Sequence, residues 1–315
     1  MYHVRSLHKA FRCGSRLTAV AATAVLAWST IAAPAAPPEG ERLSLWSGQA
    51  PLGDGRFERA EARITVHRPA AGRANRAAAV ICPGGGYGGL VVGPEGHGIA
   101  RWLNEHGITG IVLEYRLPHG RPRVPLLDAQ RAIRMARAGA KAWGIDPGRI
   151  GIIGFSAGGH LASTAGTHFD GGDPRAADPV DRASCRPDFA ILVYPVVTMG
   201  ALTHGGSKAN LLGRDPTPAL VELFSNEKQV TAQTPPMFLA HAKDDTLVAP
   251  DNSRMLYEAL RARSVPAEYL RLASGGHGLA GYKGPMWDAW QKRSLEWLAA
   301  QKIIPRRDSS PRAEQ

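Results

Sequence analysis

Three short runs in this 315-residue chain combine residue types that together perform acyl transfer. The first is Gly154-Phe155-Ser156-Ala157-Gly158, a G-x-S-x-G pattern after an apolar stretch and before a helical one. A serine at a sharp strand-to-helix turn is exposed, and the helix that follows aims amide groups and a positive dipole at it. Small residues two before and two after keep such a turn free of clashes. Outside that setting, the same run is only a Gly-rich turn.

Ser156 by itself is a weak nucleophile at neutral pH; it needs a base, and the base needs an acid to orient it. The chain supplies both in the order serine, acid, histidine. After residues 237–240 comes His241-Ala242-Lys243-Asp244-Asp245, and after 267–272 comes Gly275-Gly276-His277-Gly278. His277 is the expected base and Asp245 the expected acid. Asp244 is its rival, since one of the pair must fill a lesser role such as capping the turn. His241 precedes the acids, the wrong order for the base. His160 lies one helical turn past Ser156, where packing or hydrogen bonding in the core suits it better.

The third run, Pro83-Gly84-Gly85-Gly86-Tyr87, follows an apolar stretch at 77–81. Consecutive glycines let backbone amides approach an oxyanion with no side chain in the way. The expected donors are the amides of Gly85, Gly86 and Ala157. A phosphate-binding loop fits poorly, because no Lys-Ser/Thr pair follows and Tyr87-Gly88-Gly89 breaks a dinucleotide fingerprint.

These runs need a scaffold that brings them together. Apolar stretches at 64–66, 77–81, 108–113, 150–155, 189–194, 237–240 and 267–272 read as strands. Helical spacing covers 96–104, 126–142, 156–164, 252–263 and 287–298. The alternation predicts an α/β fold, a mostly parallel sheet with helices on both faces. Each chemical run then lies just past a strand's C-terminal end, where such sheets place their sites. Residues 166–188 and 198–235, rich in Gly, Pro and polar side chains, read as insertions above the sheet.

Arg5, Lys9, Arg12 and Arg16 precede an almost uncharged run, 17–33, and Ala33-Pro34-Ala35 follows. This is the three-part form of a secretory signal cleaved after Ala35; an uncleaved membrane anchor is the alternative. Residues 36–60 read as an irregular lead-in, 61–304 as the catalytic domain and 305–315 as a disordered tail. Losing four cations and no acid lowers the net charge from +11 to +7. The remaining excess is scattered, without the basic stripe and interleaved aromatics of a nucleic-acid binder. Cys82 and Cys185 would remain, enough for one disulfide or two buried thiols, and neither has metal-ligand spacing. No cofactor, nucleic-acid partner or stable membrane association after cleavage is expected, and oligomeric state is open.

The four runs Pro83–Tyr87, Gly154-Phe155-Ser156-Ala157-Gly158-Gly159-His160-Leu161-Ala162, Asn226-Glu227-Lys228-Gln229-Val230 and Gly275–Gly278 together resemble bacterial acetyl-xylan-esterase-like α/β hydrolases. These are relatives of hormone-sensitive-lipase-type and bifunctional feruloyl/acetyl carbohydrate esterases. The likeness runs from about residue 63 to 298. It implies the α/β-hydrolase fold, a triad of Ser156, Asp245 and His277, and oxyanion donors at Gly85, Gly86 and Ala157. It also implies deacetylation of xylan-type polysaccharides or oligosaccharides. Pro83 stands where the lipase relatives usually carry His. Some relatives bear a xylanase label, but glycoside hydrolysis needs paired carboxylates, and no such pair is evident. A prolyl-oligopeptidase-type peptidase and a non-catalytic binding domain on the same scaffold are the rival expectations. Trp46, Trp102, Trp143 and Trp287 are candidates for sugar stacking, though core packing suits them better.

Overall fold

A computed structural model of the chain describes residues 40–52 and 62–306. The expected signal segment, residues 36–39 and 53–60 of the lead-in, residue 61 and the tail from 307 onward lie outside the described residues.

Eight strands form one sheet: β1 Glu41–Ser44, β2 Arg63–His67, β3 Ala78–Cys82, β4 Thr109–Glu114, β5 Ile150–Phe155, β6 Ala190–Val193, β7 Met237–Ala242 and β8 Ala267–Leu272. Their spatial order is β1-β2-β4-β3-β5-β6-β7-β8. β1 and β2, and β2 and β4, pair antiparallel, and every later pairing is parallel. β3 (AAVIC) and β5 (IGIIGF) are buried throughout. Unbroken apolar runs of this kind mark parallel strands covered on both faces. β8 (AEYLRL) ends the sheet and is mostly half-exposed, so polar residues interrupt it.

Helices α1 Gly98–Glu105, α2 Arg123–Ala138, α3 Ala140–Trp143, α4 Ser156–Thr167, α5 Gly205–Leu212, α6 Pro218–Leu223, α7 Asp251–Ala262, α8 Leu279–Tyr282 and α9 Pro285–Ala300 complete the domain. Ala132, Ile133 and Ala136 of α2, Leu161 of α4 and Leu256 and Leu260 of α7 fill the core on one face of the sheet. Ile99 and Leu103 of α1 and Trp287, Trp290 and Trp297 of α9 fill the other. This is the α/β-hydrolase arrangement. No helix among the described residues is long and apolar enough to cross a membrane.

Several elements differ from their sequence reading. The lead-in contains β1, whose four residues are mostly exposed at the sheet edge and show no hydrophobic pattern. The chain beyond it is anchored by Trp46, whose Nε1–H donates to Asp128 Oδ1 at 2.8 Å. That carboxylate also accepts a fork from the buried Arg116, and the Arg131 guanidinium lies over the Trp46 ring. The helix expected at 126–142 is two, α2 and α3, parted at Gly139. A π-helical turn, Gly93–His97, precedes α1. The insertion at 198–235 carries α5 and α6, each short and capped by a side chain, His204 and Thr217.

Trp287 packs in the core against Phe155 and Trp290, and Trp102 leans on Trp290. Trp143 is half-buried against the core of the α2 face. Both cysteines are buried free thiols: Cys82 lies inside β3, and Cys185 Sγ accepts the Asp170 amide at 3.2 Å.

Candidate active site

Ser156 is the first residue of α4, directly after β5. Phe155 is extended (φ −119°, ψ 132°) and Ser156 then turns to φ +52°. A non-glycine residue in that region is strained, and surrounding packing must hold it there. The packing is tight. A Cβ at Gly154 would collide with the Gly158 carbonyl, and one at Gly158 would collide with the carbonyl of Cys82 at the end of β3. A Cβ at Gly84 would stand 3.0 Å from that of Ser156 and 2.9 Å from the Phe155 carbonyl. Glycine at these positions lets β3, β5 and α4 converge on the serine.

His277 Nε2 lies 2.8 Å from Ser156 Oγ, and His277 Nδ1 lies 2.8 Å from Asp245 Oδ2. The structure thus joins three residues from three loops in one hydrogen-bonded line. Asp245 has a fully buried side chain. Its Oδ1 accepts the amides of Leu247 and Val248, both at 3.0 Å, and its Oδ2 accepts from His241 Nε2 at 3.2 Å as well as from His277. Burial alone pushes this carboxyl up, but the donors from His241, His277 and the Val248 amide outweigh it. They hold Asp245 well below the usual carboxylate range, so it is an anion facing the imidazole.

The rival residues have other partners. His241 lies in β7, fully buried, with Nε2 also on the Val248 carbonyl and Nδ1 on Ser253 Oγ. A carbonyl partner fixes the proton on Nε2, so His241 donates to Asp245 and supports the acid. Asp244 accepts the amides of Gly276 (2.9 Å) and Gly275 (3.2 Å), the two residues before His277. His160 is buried in α4, with Nδ1 2.8 Å from the Tyr87 hydroxyl and Nε2 2.8 Å from the Phe224 carbonyl. Burial lowers it to about 4, which keeps it neutral.

In the glycine run, Gly84 donates its amide to Glu95 Oε2 at 2.7 Å, so it is committed there. Gly85 and Gly86 have φ of +129° and +63°, conformations that suit glycine. Their amides meet no protein acceptor among the described residues. Ala157, second in α4, has an amide that precedes the first intrahelical bond. These are the three amides expected as oxyanion donors, and no protein acceptor among the described residues takes them.

Glu95 and Tyr194 had no role in the sequence reading. Glu95 is buried in the π-helical turn. Besides the Gly84 amide it accepts the Tyr194 hydroxyl at 2.9 Å. Burial raises its carboxyl, opposed by these donors. The Tyr194 ring lies 4.8 Å from that of His277. One carboxyl therefore links the glycine loop to the loop after β6, whose Tyr194 ring packs on His277. A glutamate eleven residues past Gly84, in a Gly-Pro-rich stretch, carries no periodic signal that would reveal this.

The BD-FAE family model matches residues 65–260. The acetylxylan esterase of Xylanibacter ruminicola is 37% identical over 206 residues, which cover 64% of this chain and 40% of that protein. The endo-1,4-beta-xylanase B of Butyrivibrio fibrisolvens is 36% identical over 218 residues, 67% of this chain and 34% of that protein. This chain thus matches well under half the length of either relative. Among solved structures, the acetyl ester-xyloside bifunctional hydrolase from Caldicellulosiruptor lactoaceticus has a TM-score of 0.80 and 40% identity, covering 86% of this chain and 100% of that one.

Proposed function

The chain belongs to the BD-FAE family, and on that premise we propose that it is a serine carboxylic ester hydrolase that deacetylates xylan-type polysaccharides or oligosaccharides through an acyl-enzyme. One observation carries the reading: Ser156, His277 and Asp245 stand in a line of 2.8 Å hydrogen bonds at the C-terminal ends of parallel strands. His277 Nε2 takes the proton from Ser156 Oγ as the oxygen attacks the acetyl carbon. Asp245 holds the other ring nitrogen and stabilises the cation that forms. The oxyanion lies against the amides of Gly85, Gly86 and Ala157. The carbon–oxygen bond to the sugar breaks as His277 returns its proton to the leaving oxygen. Water, deprotonated by His277, then attacks the acyl carbon, and acetate leaves with Ser156 restored.

The acetylated-xylan substrate is supported by the names of the Xylanibacter relative and the Caldicellulosiruptor structure. Export is supported by the basic, apolar and small-residue order of residues 1–35, and it would bring the enzyme to a polymer that cannot enter a cell. A non-catalytic scaffold would have no need of a strained serine joined to an oriented imidazole. The test is acetate release from acetylated xylan and p-nitrophenol release from the aryl acetate. Both vanish in Ser156→Ala if the reading holds, and retention of full activity by that variant sinks it. The N-terminal residue of the secreted protein tests the cleavage site.

A further inference from the structure

His204 does not belong to the triad, yet it stands beside the site. It is the N-cap of α5, in the insertion after β6, and is half-buried. Its Nδ1 accepts the Ser207 amide at 3.2 Å and lies 2.8 Å from Ser207 Oγ. A backbone amide only donates, so Nδ1 carries the lone pair and the ring proton sits on Nε2. Ser207 is fully buried, which fixes the ring's orientation.

The Cε1–Nε2 edge of the ring lies beside two glycines. A Cβ at Gly86 would stand 3.9 Å from Cε1, and one at Gly206 would stand 3.2 Å from Cε1 and 3.7 Å from Nε2. Gly86 is one of the three residues whose amides are the expected oxyanion donors. Burial, and then the proximity of His277, lower His204, while Asp245 pulls the other way. The Nε2–H of the imidazole meets no acceptor among the described residues.

We propose that His204 is a specificity-determining residue that donates its Nε2–H to an oxygen of the alcohol half of the ester, a hydroxyl or ring oxygen of a sugar next to the acetylated position. This rests on the esterase reading. The acetyl group is too small to reach beyond the oxyanion loop and has no second polar atom to accept such a bond. A saccharide leaving group presents oxygens around the ester, and an aryl leaving group presents none at that position.

His204→Asn tests it. Asparagine is a strong N-cap, and its Oδ1 can replace Nδ1 for the Ser207 amide while the Nε2–H edge disappears. The readout is kcat/KM on an acetylated xylo-oligosaccharide divided by kcat/KM on phenyl acetate. Loss of one hydrogen bond lowers this ratio about tenfold, mostly through KM for the saccharide. An unchanged ratio, with or without an equal loss on both esters, overturns the proposal. A wild-type enzyme that cleaves phenyl acetate but no acetylated saccharide overturns it together with the saccharide substrate, and leaves only the serine-esterase chemistry standing. A wild type inactive on both fails the esterase reading itself.

Discussion

Asp244 and Asp245 hold the same histidine loop at two different places. Asp245 accepts the His277 imidazole at 2.8 Å, and Asp244, its neighbour, accepts the amides of Gly276 and Gly275. One acid orients the ring, and the other orients the backbone that carries it. Gly275, Gly276 and Gly278 all have positive φ, so the loop gains little rigidity from its own conformational preferences.

The two acids therefore differ in what their loss does. Asp245→Asn is expected to lower kcat on p-nitrophenyl acetate about 10³- to 10⁴-fold, since the imidazole loses its anionic partner and its tautomer. Asp244→Ala is expected to lower it about tenfold, through a looser loop. Steady-state kinetics of the pair checks this, and equal losses would refute the division of roles.

Glu95 is expected to act on kcat. In Glu95→Ala the Gly84 N–H and the Tyr194 O–H both lose their acceptor, and the glycine loop shifts. Displacing an oxyanion donor costs about 3 kcal/mol, so kcat should fall about 10²-fold with KM within about threefold. Tyr194→Phe keeps the carboxyl and the Gly84 bond, and should lose about tenfold or less. A thermal melt of each variant separates misfolding from misplacement.

Gly158→Ala is expected to cut soluble yield and lower the thermal midpoint sharply. The added methyl has nowhere to go, because the atoms it meets are the backbone carbonyls of Cys82 and Pro83. Overpacking against rigid backbone costs about 3 kcal/mol or more, a large share of the roughly 5–15 kcal/mol that holds a whole domain together. Soluble yield and circular dichroism check the outcome.

His160 makes stability fall on the acid side. The unfolded chain takes up this proton near 6.5, and the folded chain refuses it until about 4. The stability tied to the neutral ring is complete above pH 6.5 and is lost as pH falls through 4. The thermal midpoint should drop over that window. His160→Gln, which can still reach the Tyr87 hydroxyl and the Phe224 carbonyl, should flatten the drop. Asp245, depressed in the folded state, adds a further loss at lower pH, as a carboxylate protonated in the unfolded chain but not in the folded one.

Local order in the sequence determined the sheet's middle and the chemical runs. β3 and β5 are read as unbroken apolar stretches because parallel strands buried on both faces need nothing else, and β8 is recovered with its own limits. The order Ser156, Asp245, His277 and the glycines near each turn are equally local. Pairing between distant residues is not. β1 has no hydrophobic pattern, because it lies at the sheet edge beside β2, and the chain after it is held by Asp128 on α2, 82 residues beyond Trp46. α5 and α6 depend on caps hidden among polar residues. Only the tertiary structure separated Asp244 from Asp245, since their chain positions differ by one and their partners lie on another loop. Glu95, Tyr194, His241 and His204 became part of the site for the same reason: a hydrogen bond depends on where the fold brings its two ends, and sequence spacing records only one of them.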